Sequence, residues 1–272
     1  MSSGTTNASA LAEKRIVIIG GTAGLGLSAA RAFVAAGAKV VVVGRKSDPV
    51  EATQRELGNA GVVLQGEATE PETAGAAVAQ AVAVFGGLDG LYHVAGGSGR
   101  RWGDGPLHEL TNEGWDATLN LNLTSVFYSN RAAVRQFLAQ GAGGTILNLS
   151  SVLGFSPSPK FFATHAYAAA KAAIIGLTKT CAAQYAPQSI RFNVLAPGLV
   201  DTLMAQRAAN NATILSFIKT KQPLDGGRIG RPADLDAAAV YFMSDASAFT
   251  TGQVLAVDGG WSVSEGQIPC EP

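Results

Sequence analysis

Hydrophobic positions along the chain follow two alternating patterns. Short runs of β-branched and other apolar residues, bounded by glycine, alternate with longer alanine-rich segments whose apolar positions recur at helical spacing. Nearly continuous apolar runs are typical of strands covered by helices on both faces, so the sequence predicts parallel strands joined through helices. The predicted strands are residues 16–19, 40–43, 62–64, 91–94, 145–149, 191–195 and 254–257.

The alanine-rich segments supply the connecting helices. Repeated strand–helix–strand units with right-handed crossovers build an α/β fold, a Rossmann-type doubly wound seven-stranded parallel sheet with helices on both faces. No repeat or linker divides the chain, so we expect a flexible tail over 1–14, a single Rossmann-type domain over 15–262 and a second tail over 263–272. The predicted helices are residues 25–35, 71–85, 112–139, 166–185 and 233–243.

Composition narrows the range of partners. The 20 basic and 20 acidic residues cancel, and no basic block is present, which argues against nucleic-acid binding. The polar start and the absence of a long apolar run predict a cytoplasmic protein with no membrane partner. Cys181 and Cys270 suggest neither a disulfide framework nor a metal site, and a small-molecule substrate fits best.

The glycine-rich segment GGTAGLG, residues 20–26, directly follows the first predicted strand and opens a helix. Glycine lets the backbone approach a ligand closely, and free N–H groups at a helix N-terminus favour a pyrophosphate. Glycine is also used where a tight turn needs positive φ, which is the alternative interpretation. The position in the first strand-to-helix turn favours dinucleotide binding.

The end of the second predicted strand is where such a site distinguishes a ribose 2′-hydroxyl from a 2′-phosphate. Arg45 and Lys46 follow this strand, and no acidic residue stands there. A guanidinium matches a phosphate, so the sequence favours NADP, with NAD as the alternative. In the alternative interpretation, Arg45 and Lys46 are solvated charges of a loop and bind no phosphate.

Six motifs occur together and in order: GGTAGLG, LNLNLTSVF, ILNLSS, YAAAK, NVLAPG and TGQVLAVDGG. In this combination the chain resembles the short-chain dehydrogenase/reductase family from about residue 15 to 261. The resemblance implies a nicotinamide-dependent oxidoreductase acting on a carbonyl or alcohol, and a homotetramer paired through helices 112–139 and 166–185. It implies the catalytic residues Ser151, Tyr167, Lys171 and Asn122, with Ser150 as the alternative serine.

The residues expected to bind the dinucleotide come from the glycine motif, from the two cations after the second strand and from the family motifs. They are Gly20, Thr22, Gly24, Leu25, Gly26, Arg45, Lys46, Glu67, Ala68, Ala95, Gly96, Tyr167, Lys171, Pro197, Gly198, Val200 and Thr202. The chain departs from the family pattern at Ile19, usually Thr, and at His93-Val94, usually Asn-Asn. Glu67 stands where the family commonly has Asp, and the connection between Ser151 and Tyr167 is longer than usual.

Tyr167 and Lys171 are four residues apart on one predicted helix and share a face. An ammonium beside a phenol favours the phenolate, so Tyr167 is expected to be the general acid in reduction and the general base in oxidation. Ser151 would hold the substrate oxygen, Lys171 the nicotinamide ribose, and Asn122, at an irregularity in its helix, a water leading to solvent. Taken alone, the pair also fits an ordinary amphipathic helix, and Asn122 fits a helix bend.

The substrate pocket is expected beyond the carboxyl ends of the strands, walled by residues 97–106, 152–162 and 199–227. An anion of the substrate could be bound there by Arg100 and Arg101, and a ring could stack on Trp102. In the alternative interpretation, the two arginines are exposed and solvated. His165 could touch substrate or serve only structure. Two other functions remain open at this point, a regulator that binds a dinucleotide without turnover and an epimerase or dehydratase.

Overall fold

The structure of the protein is a computed structural model that describes residues 10–268. The strands are β1 (Arg15–Ile19), β2 (Lys39–Gly44), β3 (Gly61–Gln65), β4 (Gly90–His93), β5 (Gly144–Leu149), β6 (Ile190–Pro197) and β7 (Val254–Val257). They form one sheet in the order β3-β2-β1-β4-β5-β6-β7, and every pairing is parallel. The predicted α/β fold with a doubly wound Rossmann-type sheet is confirmed.

Helices cover both faces of this sheet. They are α1 (Gly24–Ala35), α2 (Ser47–Leu57), α3 (Pro71–Phe85), α4 (Asn112–Leu119), α5 (Ser125–Gln140), α6 (Pro159–Phe162), α7 (His165–Tyr185), α8 (Gln206–Ala209), α9 (Ala212–Lys221) and α10 (Asp236–Met243). Among the described residues, no helix is long and apolar enough to cross a membrane.

Successive residues of each strand point to opposite faces and enter two separate cores. Ile18 packs with Phe33 of α1 on one face, whereas its neighbour Val17 packs with Phe137 of α5 on the other. All four side chains are fully or almost fully buried. This two-sided burial explains why the strands read as continuous apolar runs.

Chain order in the sheet reverses between β1 and β4, the pair at its centre. The loops after these two strands turn to opposite sides, which leaves a crevice at the carboxyl edge of the sheet. The fold therefore directs the loops that follow β1, β2, β4, β5 and β6 toward one edge, where the predicted site residues lie.

The packed chain extends past both predicted boundaries. Leu11, in the segment expected to be a tail, is fully buried, and its N–H donates to the Ala36 carbonyl at 2.9 Å. Near the other end, the Gln267 N–H donates to Thr220 Oγ1 at 2.7 Å. The remaining parts of the expected tails, residues 1–9 and 269–272 with Cys270, lie outside the described residues.

Candidate active site

The glycine-rich turn between β1 and α1 is closely packed against its surroundings. Gly20 has φ of +90°, and a Cβ on it would lie 2.6 Å from the Ala95 nitrogen. A Cβ on Gly26 would lie 2.1 Å from the Gly20 carbonyl oxygen. Larger side chains are thus excluded from both positions.

The first turn of α1 begins at Gly24, after Ala23, and no side chain of the described residues caps it. Its N–H groups are therefore available to an anion. Together with the glycine packing, this arrangement fits the pyrophosphate of a dinucleotide. A helix N-terminus next to a glycine cradle is the feature that the sequence predicted from GGTAGLG.

The other predicted cofactor residues follow successive strands at the same edge. Arg45 and Lys46 come after β2, Glu67 and Ala68 after β3, Ala95 and Gly96 after β4, and Pro197, Gly198, Val200 and Thr202 end or follow β6. Thr22 lies against Gly44, where a Cβ would be 2.2 Å from Thr22 Oγ1. Leu25, Pro197, Gly198, Val200 and Thr202 line one cavity with Ser151 and Tyr167.

Arg45 and Glu67 lie opposite one another beyond β2 and β3. Arg45 Nε is 4.0 Å from Glu67 Oε1, and both side chains are about half exposed. An exposed pair at this distance contributes little to stability, so Arg45 can exchange this partner for another anion.

Tyr167 and Lys171 lie on α7 and turn toward the sheet. Lys171 is 3% exposed, and its Nζ donates to the Leu149 carbonyl at 2.9 Å. The same Nζ lies 5.5 Å from the centroid of the Tyr167 ring. The lysine therefore lies beneath the tyrosine, at the end of β5.

Burial governs the ionisation of this pair. It raises the pKa of Tyr167 to about 12, an effect partly opposed by a hydrogen bond with Ser151. Burial also lowers the pKa of Lys171 to about 7. A phenol with a raised pKa holds its proton near neutrality, so it is suited to donate that proton to a carbonyl.

The two serines after β5 have different surroundings. The Ser150 hydroxyl donates to the main-chain carbonyl of Lys171 at 2.7 Å. Ser151 is 7% exposed, and its hydroxyl accepts the Leu153 N–H at 3.2 Å and interacts with Tyr167. Geometry therefore favours Ser151 as the serine that meets a substrate, and gives Ser150 a structural role.

Asn122 lies in a turn of π-helix, Asn120–Thr124, which interrupts the predicted helix 112–139 between α4 and α5. Its side chain is fully buried and exchanges hydrogen bonds with Gly97, accepting from the nitrogen at 3.0 Å and donating to the oxygen at 2.9 Å. A Cβ on Gly96 would lie 2.8 Å from Asn122 Oδ1 and 3.4 Å from Lys171 Nζ. The fold thus brings Asn122 and Lys171 together on the side of Gly96 where a Cβ would lie.

His93 replaces an expected asparagine and is fully buried. Its Nε2 lies 3.1 Å from the Ala95 carbonyl, which requires a proton on Nε2, and its Nδ1 accepts from Ser129 Oγ at 2.7 Å. Burial, and then the charge of Lys171, lower the pKa of His93 to about 3. This neutral imidazole holds the loop after β4 in place of the missing amides.

One residue outside the sequence prediction supports the site. Asp104 is 4% exposed, and its carboxylate accepts the N–H groups of Ala166 at 3.0 Å and Tyr167 at 3.1 Å. It therefore caps α7 from a distant loop. Because Asp104 stands in an ordinary glycine-rich turn, Gly103-Asp104-Gly105, its local sequence carries no signal of this role.

The predicted substrate loops converge on a cavity of about 200 Å³. Ser98 and Arg100 come from the first loop, Leu153 and Phe162 from the second, and Met204 and Arg207 from the third, and Trp261 closes the wall. The longer connection before Tyr167 forms α6, whose Phe161 and Phe162 contact Phe217 and Trp261.

Three further candidates, Arg101, Trp102 and His165, do not line this cavity. The Arg101 guanidinium stacks 3.9 Å from the centroid of the Trp102 ring, and neither residue lines the cavity. His165 is exposed at the first position of α7, and its neighbour Thr164 lines the cavity instead. Arg207 and Trp261, which the sequence analysis did not single out, do line it.

Comparisons with known proteins agree with this arrangement. A family profile described as enoyl-(acyl carrier protein) reductase matches residues 20–262. Cis-4-hydroxycyclohexanecarboxylate dehydrogenase of Sinomonas cyclohexanicum is 34% identical over 255 residues, which cover 93% of this chain and 98% of that protein. A 2,5-dichloro-2,5-cyclohexadiene-1,4-diol dehydrogenase of Sphingobium indicum is 34% identical over 253 residues, with the same two coverages.

A solved structure is similar over nearly the whole chain. The structure of a short-chain type dehydrogenase/reductase from Mycobacterium ulcerans superimposes with a TM-score of 0.86 at 30% identity, covering 94% of this chain and 92% of that chain. The protein therefore belongs to the short-chain dehydrogenase/reductase family, as its motifs predicted. It is an oxidoreductase of the kind that acts on CH–OH groups with a nicotinamide dinucleotide.

Proposed function

We propose that the enzyme interconverts a secondary alcohol and its ketone, with NADP as the preferred dinucleotide and Tyr167 as the general acid and base. The observation that carries this proposal is the shared cavity. Ser151 and Tyr167 line it together with Leu25, Pro197 and Gly198 from the cofactor edge. Proton transfer and hydride transfer can then take place within one small space.

A nicotinamide dinucleotide held beside Leu25, Pro197 and Gly198 would supply the chemistry that the side chains lack, by accepting hydride in oxidation and donating it in reduction. In oxidation, the Tyr167 phenolate takes the proton of the substrate hydroxyl. In reduction, the phenol returns that proton to the carbonyl oxygen. Ser151 donates a hydrogen bond to the same oxygen and stabilises the charge that develops there.

Lys171 has two parts in this proposal, since its ammonium favours the phenolate and its donors can hold the nicotinamide ribose. Asn122 would hold a water on the path from Lys171 to solvent. The side-chain amide of Asn122 is already hydrogen-bonded to the main chain of Gly97 and Thr118. We therefore assign this water to the main-chain carbonyl of Asn122, in the π-helical turn. Such turns break regular helical bonding and are frequent at functional sites.

The preference for NADP rests on Arg45 and Lys46. Both are exposed directly after β2, and the weak contact with Glu67 leaves Arg45 available to a 2′-phosphate. The Glu67 carboxylate opposes this preference, because it lies 4.0 Å from Arg45 Nε and its negative charge repels a second anion there. We therefore expect Glu67→Gln to increase the affinity for NADPH.

The assigned role of Tyr167 is tested with Tyr167→Phe, which removes the hydroxyl and keeps the ring. Turnover of a panel of secondary alcohols should fall by roughly 10²- to 10⁴-fold, the usual contribution of general acid–base catalysis. Tyr185→Phe is the matched control on the same helix, where the ring stacks on Phe192. Undiminished turnover in Tyr167→Phe would refute the mechanism.

Cofactor choice is tested by titrating the protein with NADPH and NADH while following nicotinamide fluorescence. NADPH should bind more tightly, and Arg45→Ala should reduce this preference by roughly 10- to 100-fold, the value of a charge-assisted hydrogen bond. Arg55→Ala, at the other end of α2, is the control. Equal affinities in the unaltered protein would exclude the role of Arg45.

We also propose a homotetramer in which α5 and α7 pair with their copies across a two-fold axis. Phe127 and Leu138 of α5 are 43% and 48% exposed. α7 exposes small residues, Ala172, Ala173 and Gly176, which allow helices to approach closely. These surfaces support helix pairing between copies of the chain.

A further inference from the structure

Two arginines from distant parts of the chain meet on the wall of the catalytic cavity. Arg100 lies in the turn after β4, and Arg207 lies on α8. Both line the cavity that contains Ser151 and Tyr167, and both also line an adjoining cavity beside Pro106 and Ile214. Partial burial, and then the positive charge of Arg207, lower the pKa of Arg100, so the two guanidinium groups act on one another.

The described residues provide no counterion for this pair within the cavities. No Asp or Glu of residues 10–268 lines either one. Asp104 exerts an opposing charge on Arg100, but both of its oxygens accept N–H groups of α7. Arg207 donates one hydrogen bond to the Phe161 carbonyl at 2.9 Å. Two like charges held together beside a cavity favour an anion between them.

Apart from Ser98 and Thr164, the rest of the substrate wall is mainly apolar. Leu153, Phe162, Met204, Ala208 and Trp261 contribute it, and the cavity measures about 200 Å³. This volume lies below the range of roughly 300–1,000 Å³ that drug-sized ligands occupy. The walls therefore fit a compact apolar skeleton, and the arginines fit a single anionic group on it.

We propose that the substrate is a compact hydroxy acid or oxo acid, whose carboxylate is bound by Arg100 and Arg207 while its carbinol or carbonyl carbon reacts at Tyr167. A carboxylate presents two oxygens in a plane, which matches the planar fork of a guanidinium and requires less space than a phosphate ester. This inference rests on the proposed function, because the same cavity must hold the reacting carbon.

The carboxylate takes no part in the chemical step. In oxidation the carbinol C–H bond breaks with its electron pair, which passes as hydride to the oxidised nicotinamide. The O–H proton passes to Tyr167, and the carbinol becomes a ketone. Arg100 and Arg207 act only on binding and orientation, so their loss should raise KM more than it lowers kcat.

The first test compares acids with neutral analogues of the same shape. We would measure kcat/KM for 3- and 4-hydroxycyclohexanecarboxylate and for the corresponding carboxamides. The acids should be preferred by roughly 10- to 100-fold, the range of a hydrogen-bonded charge. Arg100→Gln and Arg207→Gln should remove this preference, by raising KM for the acids more than KM for the carboxamides.

Arg101→Gln is the matched control for both variants. Arg101 is adjacent to Arg100 in sequence, stacks on Trp102 and lines neither cavity. This variant should retain the full preference for acids. Loss of the preference in Arg101→Gln to the same degree would show a general effect of surface charge and overturn the assignment of Arg100 and Arg207.

The second test needs no turnover. Calorimetry in the presence of oxidised cofactor would measure binding of cyclohexanecarboxylate, cyclohexanecarboxamide and cyclohexyl phosphate. Carboxylate binding that depends on both arginines supports the anion site, even if no alcohol is oxidised, and that result would overturn the proposed function alone. Equal binding and turnover of acids and amides would overturn the hydroxy-acid assignment alone. Tighter binding of the phosphate would overturn the choice of carboxylate.

Discussion

The Lys171 amine is buried, in a place with almost no water. Burial lowers its pKa to about 7, and burial raises that of Tyr167 to about 12. In the proposed mechanism oxidation requires the tyrosinate, so its rate should rise with pH, whereas reduction requires the phenol and should slow as pH rises. Since a nearby ammonium favours the phenolate, Lys171→Ala should move the rising limb of the oxidation profile to higher pH. It should also lower kcat/KM by at least roughly 10²-fold.

The measurement is the pH dependence of kcat/KM for alcohol oxidation in the unaltered enzyme and the variant. Lys179→Ala is the control, because Lys179 is an exposed lysine on the same helix. A profile that keeps its midpoint in Lys171→Ala would show that the lysine only positions the cofactor and leaves the ionisation of Tyr167 unaffected.

His93 affects stability rather than the chemical step. Its pKa is about 3 in the folded protein and near 6.5 in an unfolded chain. Between these two pH values, His93 is protonated in the unfolded state and neutral in the folded state. The free energy of unfolding should therefore be unaffected by His93 above pH 6.5 and fall below it, by up to about 1.4 kcal/mol per pH unit. His93→Asn, the residue usual in the family, should remove this slope.

Urea unfolding at pH 7.5, 6 and 5 measures the effect as a difference between proteins, since other acidic and basic groups contribute equally to both. His108→Asn serves as the control because the His108 side chain is 81% exposed. Parallel pH dependences for the unaltered protein and His93→Asn would mean that the buried imidazole accepts a proton without unfolding.

Residues that act through local spacing could be predicted, and residues that act across the fold could not. Tyr167 and Lys171 are four apart on one helix, so the sequence alone places them together. Asp104 and Arg207 reach the site through loops whose paths depend on packing, and single charged residues in polar turns resemble solvated ones. Their roles follow from the hydrogen bonds of Asp104 and from the cavity that Arg207 lines.

Among the elements, α7 carries Tyr167, the proposed general acid and base, and Asp104 caps the N-terminus of this helix. The carboxylate satisfies two N–H groups of the first turn and interacts favourably with the helix dipole. We expect Asp104→Ala to lower the free energy of unfolding by about 1–2 kcal/mol, the usual range for a lost cap. Because Tyr167 itself donates one of these bonds, kcat should also fall.

Asp104→Asn keeps one acceptor oxygen and should recover part of the lost stability and part of the lost kcat. The comparison separates the contribution of the hydrogen bond from that of the negative charge. Asp116→Ala, an exposed acidic residue on α4, is the control. Urea unfolding and steady-state kinetics of the four proteins give the comparison. Stability and kcat unchanged in Asp104→Ala would show that water replaces the cap and that Tyr167 does not depend on it.

Helices and strands could be predicted from the sequence where burial gives them a recognisable pattern of apolar residues. The strands are buried on two sides and were recognised from their apolar runs, but α2 was missed because it buries only Thr53 and Leu57. The predicted start of the last helix at residue 233 corresponds to a 3₁₀ turn, Pro232–Leu235, before α10. The π-helical turn at Asn122 was expected only as an irregularity, and the contact of Asn122 with Gly97 joins residues distant in sequence.

At the scale of the whole molecule, the proposed homotetramer pairs copies through the exposed faces of α5 and α7. If these helices pair, the solution mass should be four times the 27.7 kDa of one chain. Light scattering at micromolar concentration measures this mass. A monomer under these conditions would contradict the proposed assembly.

Gly176→Glu tests where the copies meet. A Cβ at Gly176 meets no atom of the described residues within 4 Å, so the substitution should leave the folded chain intact. Across a two-fold axis it would bring two carboxylates toward one another, and the assembly should dissociate toward smaller species. Gly75→Glu on α3 is the matched control, because Gly75 is also an exposed helical glycine with no described atom within 4 Å of a Cβ. Dissociation of both variants would implicate net charge, whereas an intact tetramer in Gly176→Glu would exclude α7 from the interface.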